Sequence, residues 1–166
     1  MKGPHNVGDC IASRYHIVDF VGEGGMQFVY KAHDIILDRF IALKTPKDAT
    51  AEKRFHRSAI VSAKVNHPNV AKTLDYVEQN GRPYLIEELV DGLDLAKAIL
   101  QGLDYLDPFL VARIFHHLSK GLAASHHAGV VHRDLKPTNI MVIGKNIYKG
   151  NKKTINRKIC SKIFFN

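Results

Sequence analysis

The sequence predicts an α+β fold: five strands of an antiparallel sheet crossed by one helix, and then the beginning of a helical region. Three observations carry this. Runs of β-branched and aromatic residues of strand length recur at 15–34, 39–45 and 70–90, separated by turn residues. Asn80-Gly81 divides the last of these runs as a two-residue hairpin turn would. From Asp107 an amphipathic helix begins with a matched set of boundary residues.

Each element follows in order. "YHIVDFVGEGGMQFVYKAHD" (15–34) reads as two strands around a glycine turn, and "RFIALKT" (39–45) as a third. Residues 51–65 have few helix breakers and put Phe55, Ala59, Ser62 and Ala63 on one face, so a helix is expected to end before "NHPN". "VAKTLDYVEQ" and "RPYLIEELV" are the fourth and fifth strands. Asp107 as N-cap, Pro108 at the first helical position and Gly129 beyond the end frame the long helix. Val111, Phe115, Leu118 and Leu122 form its apolar stripe.

Composition narrows the function. The chain has 166 residues, 45% of them apolar, and a formal charge of +8. Residues 145–166 carry seven of the cations and no acid, which leaves 17 cations against 16 acids in residues 1–144. The body is thus nearly neutral, which argues against nucleic acid as a partner. No run has the length of a membrane span, the N-terminus lacks a signal-peptide core, and Cys10 and Cys160 show no metal-like spacing. A cytoplasmic protein is the plain expectation. The paired histidines 116-117 and 126-127 point in different directions on a helix, which argues against a metal site.

Two stretches carry chemistry. In "VGEGGMQFVY", Gly22-Glu23-Gly24-Gly25 lie between strands, where backbone without side chains can approach phosphate oxygens closely. A plain hairpin is the alternative. A dinucleotide fold would need a helix after the glycines, and a P-loop would need G-K-[ST]; neither is present. Lys44 ends the strand "IALK", as an edge residue or as a partner for an anion. "HRDLKPTN" (132–139) places Asp134, Lys136 and Asn139 at the spacing H-R-D-x-x-x-x-N.

Taken in order, "GEGGM" with "VYKAHD", "LDRFIALK", "NHPNV", "PYLIEELVDG" and "GVVHRDLKPTNIMV" resemble the protein kinase family, most nearly bacterial serine/threonine kinases of the eukaryotic type, over roughly residues 10–143. The resemblance implies an N-terminal extension at 1–13 and a five-stranded small lobe with one helix at 14–90. It implies part of a helical large lobe at 91–143, followed by a basic Lys/Asn/Ile-rich tail at 144–166. It further implies transfer of phosphate from ATP to Ser or Thr hydroxyls of protein substrates. Asp134 would accept the hydroxyl proton, Lys136 would neutralise the moving phosphoryl group, and Asn139 would hold Mg²⁺. Lys44 would pair with the α/β-phosphates beneath Gly22, Glu23, Gly24 and Gly25. Val29, Ala42 and Met141 would enclose the adenine, with backbone near Glu88 and Val90 meeting its edge. His132 and Arg133 are expected to be structural.

Three departures bear on activity. Ser58 stands where the family has the helix glutamate that pairs with the lysine, and Gln27 replaces the last loop glycine. Residues 145–166 hold no acid to serve as the D-F-G magnesium ligand, so metal binding is expected to be weak. Glu87, polar at the back of the nucleotide pocket, is an alternative partner for Lys44. Two readings follow: an active kinase domain, or a silent, truncated pseudokinase-like remnant that binds nucleotide weakly or serves as an interaction module. Helix 108–128, uncovered in a truncated lobe, would then self-associate through its stripe.

Overall fold

Residues 15–34 form the hairpin that their pattern asks for, and the rest of the sheet is built on it. In a computed structural model describing residues 3–100, 108–143 and 160–164, the chain divides into two compact units, Met1–Ala63 with Lys72–Leu89 and Lys64–Ala71 with Val90–Phe165. The first holds strands β1 (Cys10–Ile11), β2 (Tyr15–Glu23), β3 (Gln27–Asp34), β4 (Arg39–Pro46), β5 (Thr73–Gln79) and β6 (Arg82–Glu88). They form one antiparallel sheet in the order β1-β2-β3-β4-β6-β5. The five expected strands are present. The sixth, β1, comes from the expected extension at 1–13, which is therefore partly sheet. Asn80 and Gly81 have φ of +53° and +71°, the left-handed pair of a type I′ turn between β5 and β6.

Strand alternation gives this sheet two apolar faces. On one, Tyr15, Ile17, Tyr30, Ala32, Ile41, Leu43, Tyr84 and Ile86 form the main core, each at most 2% exposed. His5 lies over it, with its backbone N–H toward the Tyr30 hydroxyl (3.4 Å) and Nε2 at 3.0 Å from the Tyr84 hydroxyl. The other face carries Ala42, Lys44, Leu85 and Glu87, because Lys44 pairs with Leu85 and Ala42 with Glu87. Helix α1 (Ala49–Ala63) packs on this face, where Phe55 and Ala59 meet Leu85. Asp48 caps it, accepting from the N–H groups of Thr50 (2.9 Å) and Ala51 (3.0 Å). Its buried residues are Ala51, Phe55, Ala59 and Ser62, whereas Ala63 is exposed.

The second unit contains β7 (Leu93–Asp94), α2 (Leu95–Leu100), α3 (Pro108–His127), a 3-10 turn (Pro137–Asn139), β8 (Ile140–Ile143) and β9 (Cys160–Ile163). The three strands form an antiparallel sheet in the order β7-β8-β9. Gly92 is required at its start, since a Cβ there would lie 2.5 Å from the Val142 carbonyl oxygen. Helix α3 starts at the expected Pro108, and the Asp107 cap lies outside the described residues. Gly129, at φ +72°, closes the far end: its N–H donates to His126 O at 2.9 Å, and that of Val130 to Ser125 O at 2.8 Å.

Two expectations need correction here. The buried face of α3 is Leu110, Ile114, Leu118, Gly121 and Ser125; of the expected stripe Leu118 lies on it, while Val111 and Leu122 are half-buried and Phe115 is 64% exposed. Small residues decide the contact. A Cβ on Gly121 would sit 3.1 Å from Asn69 O and 3.4 Å from Ile163, so close approach at Gly121 fixes the inward face, and a count of apolar residues misses it. That face is covered by 69–70 and by β9, whereas Phe115 of the expected open stripe is exposed. The segment 144–166 is also not all tail, because residues 160–163 pair with β8 and Ile163 is fully buried. Residues 144–159, 165 and 166 lie outside the described residues. Among the described residues no helix is long and apolar enough to cross a membrane.

Candidate functional site

In the first unit, the turn between β2 and β3 is closed by the Gly24 N–H donating to Gln27 O at 2.8 Å. A Cβ on Gly25 would meet nothing within 4 Å, and one on Gly24 only Gln27 at 3.8 Å. The protein's own packing does not demand glycine at these two positions, and the bare backbone of this exposed turn is open to a ligand. Gln27 is the first residue of β3, paired with Pro46, so losing a glycine there has not disrupted the hairpin. Glu23 ends β2 and pairs with Lys47 at 3.2 Å.

Lys44 lies on β4 opposite Val29 of β3 and is 4% exposed. A lysine so buried needs a counter-charge. Glu87 of β6, 1% exposed, supplies it, with Oε2 at 2.7 Å from Nζ. The contact is an ion pair by distance. Ser58 on α1 is half-buried and has no charge to offer. Ala42 is buried and Val29 half-buried on the same sheet. The Glu88 N–H is taken by Lys72 O at 2.9 Å, so a base edge would meet Glu88 at its carbonyl.

In the second unit, the 3-10 turn and β8 shape the loop 132–139. Arg133 has φ +60°, a left-handed conformation that a non-glycine residue adopts at a cost. Asp134 carries two contacts: Lys136 Nζ at 2.8 Å and Asn139 Nδ2, which donates to its Oδ2 at 3.0 Å and to its backbone oxygen at 2.8 Å. The Lys136 bond first, and then that of Asn139, hold the Asp134 carboxyl below the usual carboxylate range. It is ionised at neutral pH. The three residues expected to act together are therefore one cluster. His132, 7% exposed, joins this loop to the end of β9 through Nε2 and Phe164 O at 2.6 Å, while the Asp134 N–H points to its Nδ1 at 3.3 Å. Met141 is half-buried on β8 opposite Lys162, and Val90 is half-buried ahead of β7.

The residues present do not fit a magnesium site. This hard ion favours carboxylate oxygens in octahedral array. Among the described residues of 132–143 and 160–164, Asp134 is the one carboxylate, and its Oδ2 already meets Lys136 and Asn139. No described group of three His, Cys, Asp or Glu side chains could hold a metal. Outside the site, a cavity of about 360 Å³ opens between α1 and β5 beside His56, Ile60 and Tyr76, and none of the expected site residues lines it.

Sequence reasoning places Glu87 only as an alternative partner for Lys44, and the sheet register makes it the partner seen. The link from His132 to Phe164 is one that sequence reasoning misses. No local signal marks a contact across 32 residues.

Comparison with known proteins gives a consistent result. A family model described as "Protein kinase domain" matches residues 15–160. The chain is 36% identical over 148 residues to a probable serine/threonine-protein kinase of Clostridium perfringens, covering 86% of this chain and 22% of that protein. It is 35% identical over 141 residues to the serine/threonine-protein kinase PrkC of Bacillus subtilis, covering 82% and 22%. The crystal structure of the Mycobacterium tuberculosis PknI kinase domain, solved as a point mutant, is similar with a TM-score of 0.70 and 26% identity, over 83% of this chain and 58% of that one. The chain thus spans about a quarter or less of these two curated relatives.

Proposed function

The chain belongs to the protein kinase family, and from that premise we propose that it binds ATP through the glycine turn and Lys44 and carries the catalytic loop of a serine/threonine kinase, with phosphoryl transfer by this chain alone below detection. The observation that supports the loop assignment most is the cluster of Asp134, Lys136 and Asn139, with contacts of 2.8 and 3.0 Å. In this reading Asp134 orients a Ser or Thr hydroxyl of a protein substrate and takes its proton, and Lys136 offsets charge on the phosphoryl group. Lys44 meets the nucleotide phosphates, with Val29 and Ala42 beside the base.

The silent half of the proposal rests on the donor set. Strand β9 leads into Phe164 and Phe165, and no acid stands between residues 135 and 166. Metal stabilisation of transferring phosphate contributes several kcal/mol, so its loss corresponds to roughly 10² to 10⁴ in rate. The test is transfer of radiolabel from ATP to a Ser/Thr-rich basic protein, run beside Asp134→Asn. The two are expected to be indistinguishable. Transfer that disappears with Asp134→Asn would overturn the silent reading and establish an active enzyme.

A further inference from the structure

We propose that Glu87 is the positioning residue for Lys44, and that this chain holds its phosphate-facing lysine by sheet register instead of by a carboxylate on the helix. The proposal rests on the nucleotide reading of Lys44 and adds to it a residue and a mode of control.

Three observations converge. Lys44 and Glu87 are the two oppositely charged side chains buried on the α1 face of the sheet, 4% and 1% exposed and 2.7 Å apart. They stand on hydrogen-bonded neighbours, β4 and β6, at positions offset by one pleat repeat, with Ala42 opposite Glu87 and Leu85 opposite Lys44. Such diagonal positions are within reach of long side chains. Helix α1 offers no substitute: its single acid, Glu52, is exposed in the first turn, and Ser58 is neutral.

The physical consequence concerns what can move. Two adjacent strands change register only by breaking their ladder, and a slip of one residue would send Glu87 to the opposite face. A helix packed through Phe55, Ala59 and Leu85 can shift without breaking backbone bonds between strands. A lysine paired from the helix is therefore released when the helix moves. A lysine paired from the sheet is not. Glu87 keeps Lys44 directed on this face whatever the position of α1, so nucleotide binding here is uncoupled from that helix.

The experiment is a two-by-two cycle on the full chain with Lys44→Met, Glu87→Gln and the double variant, using ATP competition against a fluorescent ATP analogue as readout. Glu87→Gln is expected to weaken ATP about tenfold, as Lys44→Met does, and the double variant to be no weaker than either single one. Ser58→Ala is expected to stay within about twofold of the parent. Thermal unfolding of the parent and the three cycle variants gives a readout independent of ligand: each single variant lowers the midpoint, and the double is no lower than the worse single. Loss of ATP with Lys44→Met but parental or tighter binding with Glu87→Gln overturns the role of Glu87 and leaves the nucleotide reading standing. Parental ATP behaviour of Lys44→Met removes the nucleotide reading, and the thermal cycle then decides the pair, with additive losses overturning it.

Discussion

Replacing Asp34 by alanine is expected to destabilise the strand unit by about 3 kcal/mol, read as a shift of the urea midpoint at unchanged slope. Asp34 is completely buried at the end of β3, where it accepts from Arg14 Nε and Nη2 at 2.7 Å each. It also accepts from the backbone N–H groups of Ile36 (3.2 Å) and Leu37 (3.3 Å), which fixes the turn into β4. Alanine removes four acceptor contacts at once and leaves Arg14 with Asp75 at 3.5 Å. The Arg14 bonds hold the Asp34 carboxyl below its ordinary 3.8. A lowered carboxyl stabilises the fold fully above the unfolded value and loses that contribution as pH falls through the folded one. The gap between parent and Asp34→Ala should therefore be constant from neutral pH to about 4 and narrow below it.

His132→Ala is the second large effect, expected at about 2–3 kcal/mol and confined to the second unit, where amide exchange of β8 and β9 should quicken. With the Asp134 N–H toward Nδ1, the ring proton belongs on Nε2, which donates to Phe164 O at 2.6 Å. The substitution leaves that carbonyl without its imidazole donor and opens a void beside the loop. Burial pulls the imidazole below its ordinary 6.5, partly opposed by the Phe164 bond. A depressed histidine contributes fully above the unfolded value and loses that contribution as pH falls below it, because the unfolded chain then binds the extra proton. The protective effect of His132 should accordingly start to fade below about pH 6.5, well before that of Asp34.

The parts of the molecule legible in the sequence are those fixed by local chemistry. Asn80-Gly81 announces its hairpin because few other pairs tolerate two positive φ values, and Pro108 with Gly129 brackets α3 for similar reasons. The cluster of Asp134, Lys136 and Asn139 is legible because one short loop brings it together. What escapes depends on distant partners. Strand β9 is hidden in a Lys/Asn/Ile-rich segment and becomes a strand only against β8. The inward face of α3 is set by what Gly121 admits, not by its largest apolar residues. Glu87 can be weighed but not assigned, since its side of the sheet follows from a register of one-residue precision.

Calorimetric titration of ATP with and without Mg²⁺ tests most directly the proposal that this chain holds nucleotide through Lys44 without a competent magnesium site. The account predicts weak binding that tightens by less than about tenfold on adding Mg²⁺, a gain below roughly 1.4 kcal/mol. Tightening of a hundredfold or more would contradict it, because the donor set of Asp134 and Asn139 could not then be all that meets the metal.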